Sequence, residues 1–263
     1  YVFMIGVNLV FGLTSVCVLK DRSAIEVAAA LDEFVDIYSA HNWKIRHIYS
    51  DEEKGVIACR SRLLARGVTL ELAAPGSHVS VVERKIRVIK ERCRCIVNSL
   101  DYKLPNILIP YLVMFVVVRI NQCPTVHTQC TSPRHIFDGS VIDHEKDIAL
   151  KFGELVEVIN PVQNNTMNAR SEPALYLGPN SGSFNGHLFY TKGKKIITRS
   201  QWESVDMDTQ RTLGQMIGEE HFDENTFNDV DATDVGHMIE ERADDMHVDK
   251  NFNFLHGYRT EKP

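Results

Sequence analysis

The sequence predicts an α/β protein followed by a small β-rich module and an acidic tail. Three observations carry this. Apolar runs of strand length alternate with stretches of helical periodicity up to about residue 140. From residue 147 the texture changes to short β-like runs separated by Asn, Gly and Pro turns. Past Trp202 the apolar periodicity fades and acids dominate. At 263 residues with 44% apolar content, the chain is long enough for one large domain or two small ones with a real core.

In chain order, Tyr1 to Val10 and Leu13 to Leu19 are β-rich runs joined by Phe11-Gly12, which predicts an antiparallel hairpin. Ser23 is placed to cap an amphipathic helix to about Tyr38, with Ile25, Ala28, Ala29, Leu31 and Phe34 inward. Lys44 to Tyr49 alternates as a strand and ends on Ser50-Asp51, so a carboxylate stands at a strand's carboxyl end, where open α/β sheets keep their sites. A helix from Lys54 to Arg66, a strand from Val68 to Leu72 and a turn at Pro75-Gly76-Ser77-His78 follow.

The next helix is the most informative. Val82, Ile86, Ile89, Cys93 and Ile96 recur at helical spacing and define a buried face. Glu83, Arg87, Lys90 and Arg94 fall within an arc of about 60° on an exposed one. Residues 83 to 94 carry six bases and two acids. A carboxylate in the first turn of so basic a helix suits a cation together with a polyanion; a solvated charged face accounts for the same residues.

Asp101 to Leu104 reads as a turn, and an apolar helix runs from about Asn106 to Asn121 with Pro110 in its first turn or bending it. The uncharged run from Leu104 to Val118 is 15 residues, too short for a membrane span and suited to a buried helix. Leu155 to Ile159, Ala174 to Leu177, His187 to Tyr190 and Lys195 to Thr198 are the strands of the second module. Lys192, Lys194, Lys195 and Arg199 make a basic hairpin, read either as a phosphate contact or as a soluble surface.

The net charge of −6 conceals a division. Residues 1 to 202 hold 24 bases against 19 acids, a net of +5; residues 203 to 249 hold 15 acids against Arg211 and Arg242, a net of −13. The stretch from Glu219 to Asp249 is expected to be disordered or only locally helical, because it has too few apolar residues to offset chain entropy. Its acidity reads as a solvated linker, as a lure for a partner, or as a restraint on the basic core. The six cysteines contain no CxxC pair, so free thiols in a reducing compartment are expected. Cys123, His127 and Cys130 lack a fourth ligand at recognisable spacing, and His41 and His47 read as surface or turn residues.

A strand-end Asp51 and a helix-borne Glu83 separated by 31 residues resemble the second and third acids of the D,D-35-E integrase core, an RNase H-like fold. Ala74-Pro75-Gly76-Ser77-His78-Val79-Ser80-Val81-Val82-Glu83-Arg84-Lys85 is similar to the corresponding stretch of copia-type retrotransposon integrases. His78-Val79-Ser80 and Glu52-Glu53 depart from that pattern. Cys130-Thr131-Ser132-Pro133 through Phe137-Asp138-Gly139 resembles the segment that closes such cores, and Arg170 to Gly178 followed by Lys195 to Arg199 resembles the SH3-like barrel after them. The resemblance implies an integrase catalytic core over residues 1–140, an SH3-like β-barrel over 147–202 and an acidic linker over 203–263.

It also implies a chemistry. Two divalent ions held by carboxylates activate a water or a 3′-hydroxyl and stabilise the leaving oxygen of an in-line displacement. Mg²⁺ or Mn²⁺ is the expected cofactor, with Asp51 and Glu83 as catalytic and metal-binding residues. Arg84, Lys85, Arg87, Lys90 and Arg94 are the expected DNA-binding residues, the partner being double-stranded DNA, both element ends and target. A homo-oligomer, a nuclear or cytoplasmic location and no membrane are expected. The first strand of that core, with its Asp, is expected upstream of Tyr1, so residues 1 to 263 alone are expected to be inactive in 3′-processing and strand transfer; the alternative is that Asn8 replaces that Asp. Two other functions stay open: another RNase H-like nuclease or transposase, and a non-catalytic nucleic-acid-binding remnant of a transposable element.

Overall fold

A computed structural model describes residues 1–73, 80–126, 128, 130–143, 147–161, 169–180, 182–183, 185–205 and 246–248. They form a mixed α/β architecture in two compact units. The first takes residues 1–90 and 117–141 and, from the far end of the chain, 246–248; the second takes 91–116 and 142–205. The turn expected at 75–78 lies outside the described residues, as does nearly all of the tail.

The expected hairpin forms. β1 (Val2–Asn8) pairs antiparallel with β2 (Thr14–Leu19), and all seven residues of β1 are buried. Asn8 makes the turn: its Oδ1 accepts from the backbone N–H of Val10 at 2.8 Å and Phe11 at 3.1 Å, while Gly12 takes φ 74°. An Asx turn followed by a left-handed glycine closes a hairpin with little strain. Asn8 therefore has a turn-forming role, whatever residue it replaces.

α1 (Ala24–Ala40) starts at the expected cap, with Ser23 Oγ accepting from Glu26 N. Its inward face is Val27, Ala28, Ala30, Leu31, Phe34, Val35 and Tyr38. Ile25 is 80% exposed and Ala29 is exposed, so the expected face is corrected by part of a turn. The stripe 27, 31, 34, 38 keeps helical period and carries the bulkier side chains, which decides the rotation.

β3 (His47–Ser50) and β4 (Thr69–Leu72) pair in parallel, Ser50 opposite Leu72. The single helix expected between them is two, α2 (Lys54–Ala58) and α3 (Arg60–Ala65), broken at Cys59. Arg66 and Arg62 reach back from this region to Asp32 on α1, with Arg66 Nη1 2.9 Å from Asp32 Oδ1, and Arg66 also pairs with Asp36. Burial alone would lift the Asp32 carboxyl; the two guanidinium groups more than reverse that and hold it below the usual carboxylate range.

α4 (Ser80–Ser99) is followed by a 3₁₀ turn (Asn106–Leu108) and α5 (Ile109–Gln122), with Pro110 in the first turn of α5, where its missing N–H costs nothing. Asn121 clasps the start of β2: Oδ1 accepts from Thr14 N at 2.8 Å and Nδ2 donates to Thr14 O at 2.7 Å. α6 (Pro133–Asp138) is capped by Ser132 and ends on left-handed Gly139. Phe137 packs edge-on to Tyr38, and its carbonyl accepts from Trp43 Nε1 at 2.8 Å. No helix is long and apolar enough to cross a membrane among the described residues.

In the second unit β5 (Leu155–Ile159), β6 (Ser171–Pro179), β7 (His187–Thr191), β8 (Ile196–Arg199) and β9 (Trp202–Ser204) form one antiparallel sheet, ordered β8-β7-β6-β5-β9. β9 carries two residues that the sequence assigns to the tail. Its partner is β5, with Val158 opposite Trp202. The core of this unit is aromatic: Phe115 lies 5.5 Å from Phe152 and 6.4 Å from Tyr176, and the Tyr176 hydroxyl is 3.1 Å from His187 Nδ1. A second piece of the expected tail is also structured. β10 (Met246–Val248) pairs in parallel with β1, Val7 opposite His247.

Two stability effects follow. Gly153 has φ 76°, and a Cβ there would meet Tyr102 Oη at 2.5 Å and Leu100 Cδ2 at 2.8 Å. Gly153→Ala is expected to cost about 2 kcal/mol, read from the urea midpoint, because strain and clash act together. Asp32→Asn is expected to cost about 1 kcal/mol at neutral pH. Because the folded-state value is depressed, that difference is full above about pH 5 and shrinks as the pH falls below about 3.9, the usual Asp value. Paired thermal melts of wild type and variant across that range measure it.

Candidate nucleic-acid interface

The parallel pairing of β3 with β4 sets the geometry. Ala73 N donates to Ser50 O at 2.8 Å, so the ladder extends one step past the last paired residues. Asp51 and Ala73 therefore leave the sheet side by side, and α4 begins seven residues after Ala73. Ser50 is fully buried, its Oγ donating to Asp51 O at 3.1 Å, and Glu53 N donates to the same carbonyl at 2.7 Å. These contacts turn the backbone sharply at Asp51 and leave its side chain half-buried at the strand's carboxyl end.

Alternate residues of a strand share a face. His47, Tyr49 and Asp51 are half-buried on the same side of β3, while Ile48 and Ser50 point inward. Glu71, opposite Tyr49 in register, stands on that side of β4, with Oε1 2.8 Å from His47 Nδ1. The sequence reads His47 as a surface or turn residue; the structure puts it in a hydrogen-bonded couple with Glu71 two pleats before Asp51. The signal was present in the period-two spacing of 47, 49 and 51, but its partner at 71 becomes visible only once the strands are paired.

α4 is held by Val82, Ile86 and Ile89, each 2% exposed or less. Glu83 is half-buried in the first turn, where the helix dipole favours a carboxylate. Arg84, Arg87, Arg92 and Arg94 are exposed; Lys85 and Lys90 are half-buried. Glu83, Arg87, Lys90 and Arg94 form one stripe along the flank of the buried face, as the spacing predicts. Lys85 sits about 160° round the helix from Arg87 and cannot serve that stripe. Twenty residues give α4 a length of about 30 Å, and its arginines, from Arg84 to Arg94, span nearly three helical turns, about 15 Å of it. Guanidinium groups spaced in this way suit phosphate oxygens.

The remaining candidates lie elsewhere. Lys192, Lys194 and Lys195 are exposed in the β7–β8 turn of the second unit, and Arg199 Nη1 donates to Thr198 O at 2.9 Å. His41 Nδ1 is 2.9 Å from Ile37 O at the end of α1. All six cysteines are free thiols, and burial pushes Cys93 up to about 12. His127 lies outside the described residues. Among the described residues no three of His, Cys, Asp and Glu gather as a metal-holding group. Asp51 and Glu83 carry hard oxygen donors of the kind Mg²⁺ takes.

No protein-family model matches this chain, and no curated protein matches it. Solved structures do. One similar chain belongs to the simian T-cell lymphotropic virus intasome in complex with PP2A regulatory subunit B56 gamma, with 15% sequence identity and a TM-score of 0.40 over 74% of this chain and 69% of that one.

The seat of α4 is open to a direct test. Ile86→Ala is expected to cost about 3 kcal/mol, because the side chain is 2% exposed and leaves a cavity. A lowered urea midpoint with an unchanged slope would show it.

Proposed function

We propose that this chain is part of a copia-type retrotransposon integrase. It binds double-stranded DNA along α4 and contributes Asp51 and Glu83 to a Mg²⁺- or Mn²⁺-dependent site for polynucleotidyl transfer. One observation carries the reading: a half-buried Glu83 opens a helix that presents four exposed arginines, and the peptide leading to that helix leaves the sheet beside Asp51. The order of hairpin, helix, strand, paired helices, strand and basic helix supports an RNase H-like core. The five antiparallel strands of the second unit support an SH3-like module, with the exposed lysines of the β7–β8 turn as a secondary phosphate contact.

In this reading the arginine stripe holds phosphates and sets the duplex in register without reading its bases. Asp51 and Glu83 would hold the ion, and the chemistry it would supply there is polarisation of the scissile phosphate and of the attacking oxygen. The reaction requires a third carboxylate besides these two, and joining two element ends to a target calls for more than one copy of the chain. The six free thiols suit action in the nucleus or cytoplasm.

A second reading is that the chain binds DNA without catalysis. The exposed arginines of α4 serve this reading equally, since phosphate contacts need no metal. A metal titration separates the two. In the integrase reading, Mn²⁺ binding followed by calorimetry is lost in Glu83→Gln; in the second, neither protein binds Mn²⁺ and DNA affinity is the same in both. A third variant tests what both readings share. Replacing Arg87, Lys90 and Arg94 together by Ala is expected to weaken duplex binding and to lower the slope of log affinity against log salt by about 2.7, since each phosphate contact contributes about 0.9. Fluorescence anisotropy over a salt series measures it, and an unchanged slope rejects α4 as the DNA-binding surface.

A further inference from the structure

We propose that β2 is a self-association edge, on which a second copy of this chain adds its own β2 antiparallel across a two-fold axis at Cys17. The inference uses no residue of α4 and goes beyond the reading of that helix, so it stands or falls apart from DNA binding.

The open edge follows from the hairpin. β2 pairs with β1, from Thr14 opposite Val7 to Leu19 opposite Val2, and with no other strand among the described residues. In an antiparallel pair the main-chain groups of successive residues turn alternately toward the partner and away from it. Both ends of β2 show which set turns away. The Thr14 N–H donates to the Asn121 amide and its C=O accepts from it, while Lys20 N donates to Glu26 Oε2 at 3.3 Å. Val16 and Val18 lie between these residues in the same phase, and neither makes a main-chain bond outside the β1 pairing among the described residues. Their N–H and C=O groups face outward, in a short window that a side chain seals at either end.

Natural edge strands are usually blunted by charge or proline. Strands β4, β8 and β9, each at an end of its sheet, carry Glu71, Arg199 and Glu203. Ser15-Val16-Cys17-Val18 has neither charge nor proline, favours strand, and leaves Val18 37% exposed. The window also matches itself. Laid antiparallel about Cys17, Val16 meets Val18 of the second copy and Val18 meets its Val16, and each such pair exchanges both of its hydrogen bonds, four in all. In that register Thr14 stands opposite Lys20 of the second copy, the first residue after its strand, where that chain turns toward α1. Each copy therefore leaves the pairing where the other is sealed. A longer foreign strand has no such stop, and would run into the Asn121 amide at one end and the Glu26 carboxylate at the other.

Sedimentation velocity of the full 263-residue chain over a concentration series, without DNA, tests the association, and a reversible monomer–dimer equilibrium is expected. Val16→Pro deletes an outward N–H and no bond to β1, so the hairpin keeps its ladder. In the dimer it removes two of the four bonds, and it is expected to raise the dissociation constant at least about tenfold. Val18→Lys charges the edge while keeping every N–H, and repeats the test should thermal melts show that the proline variant does not fold. A monomer at every concentration, or a dimer untouched by these variants, overturns the proposal. Cross-linking tests the register. The two Cys17 residues form a pair that is not hydrogen-bonded, with Cα atoms about 4.5 Å apart, inside the disulfide range of about 4.4–6.8 Å. Burial, with Glu33 beside it, pushes the Cys17 thiol up to about 12, so its unaided oxidation is slow and copper–phenanthroline serves as the oxidant, taking two electrons and two protons from the pair of thiols. The expected product, mapped by peptide mass spectrometry, joins Cys17 to Cys17 and is lost in Cys17→Ser. Covalent dimers joined only through the exposed Cys95, Cys123 or Cys130 overturn it.

Discussion

The parallel register between β3 and β4 is the constraint on which the rest depends. Parallel neighbours point their carboxyl ends the same way. Once Ser50 stands opposite Leu72, residue 51 and the peptide leading to α4 must emerge at one edge of the sheet. A slip of one residue would turn His47, Tyr49 and Asp51 into the core and bring Ile48 and Ser50 out to solvent. Fully buried Ile48 and nearly buried Leu70 hold the register, and they belong to the same apolar cluster as Phe34 and Leu31 of α1. The position of the candidate carboxylate is thus set by packing on the opposite face of the strand.

α1 in turn is held from two directions. Its apolar stripe faces the cluster, and on the other side Asp32 and Asp36 engage Arg62 and Arg66 from the α3 region. These ion pairs tie α1 to the connection that must return the chain from β3 to β4. Arg66 follows α3 by one residue and precedes the left-handed Gly67, so the guanidinium clamp sits at the point where the helix stops and the chain turns back to the sheet.

Much of this was legible in the sequence wherever a local signal agreed with the tertiary result. The Ser23 cap, the Phe11-Gly12 turn, the first-turn Pro110 and the 3.6-residue period of Val82, Ile86 and Ile89 each name their element before any contact is known. What was lost depended on distant partners. Ile25 and Ala29 were misplaced because alanines on several sides of α1 blur the amphipathic face. The break at Cys59 has no glycine or proline to announce it. β9 is three residues long with two polar ones, and only the length of β5 beside it makes it a strand. The candidate site was half legible: Asp51 and Glu83 are marked by their places at a strand end and a helix start, and the far side of Lys85 follows from helical spacing, whereas Glu71 beside His47 emerges only in three dimensions.

The amide of Asn121 has a mechanical consequence. By accepting from and donating to the backbone of Thr14, it acts as one extra residue of a strand, offered by the last turn of a helix. Pulling that turn away would strip both polar groups of Thr14 at once, at the point where the hairpin begins its return. Slow solvent exchange at the Thr14 amide would therefore register motion of the helix end as much as fraying of the hairpin.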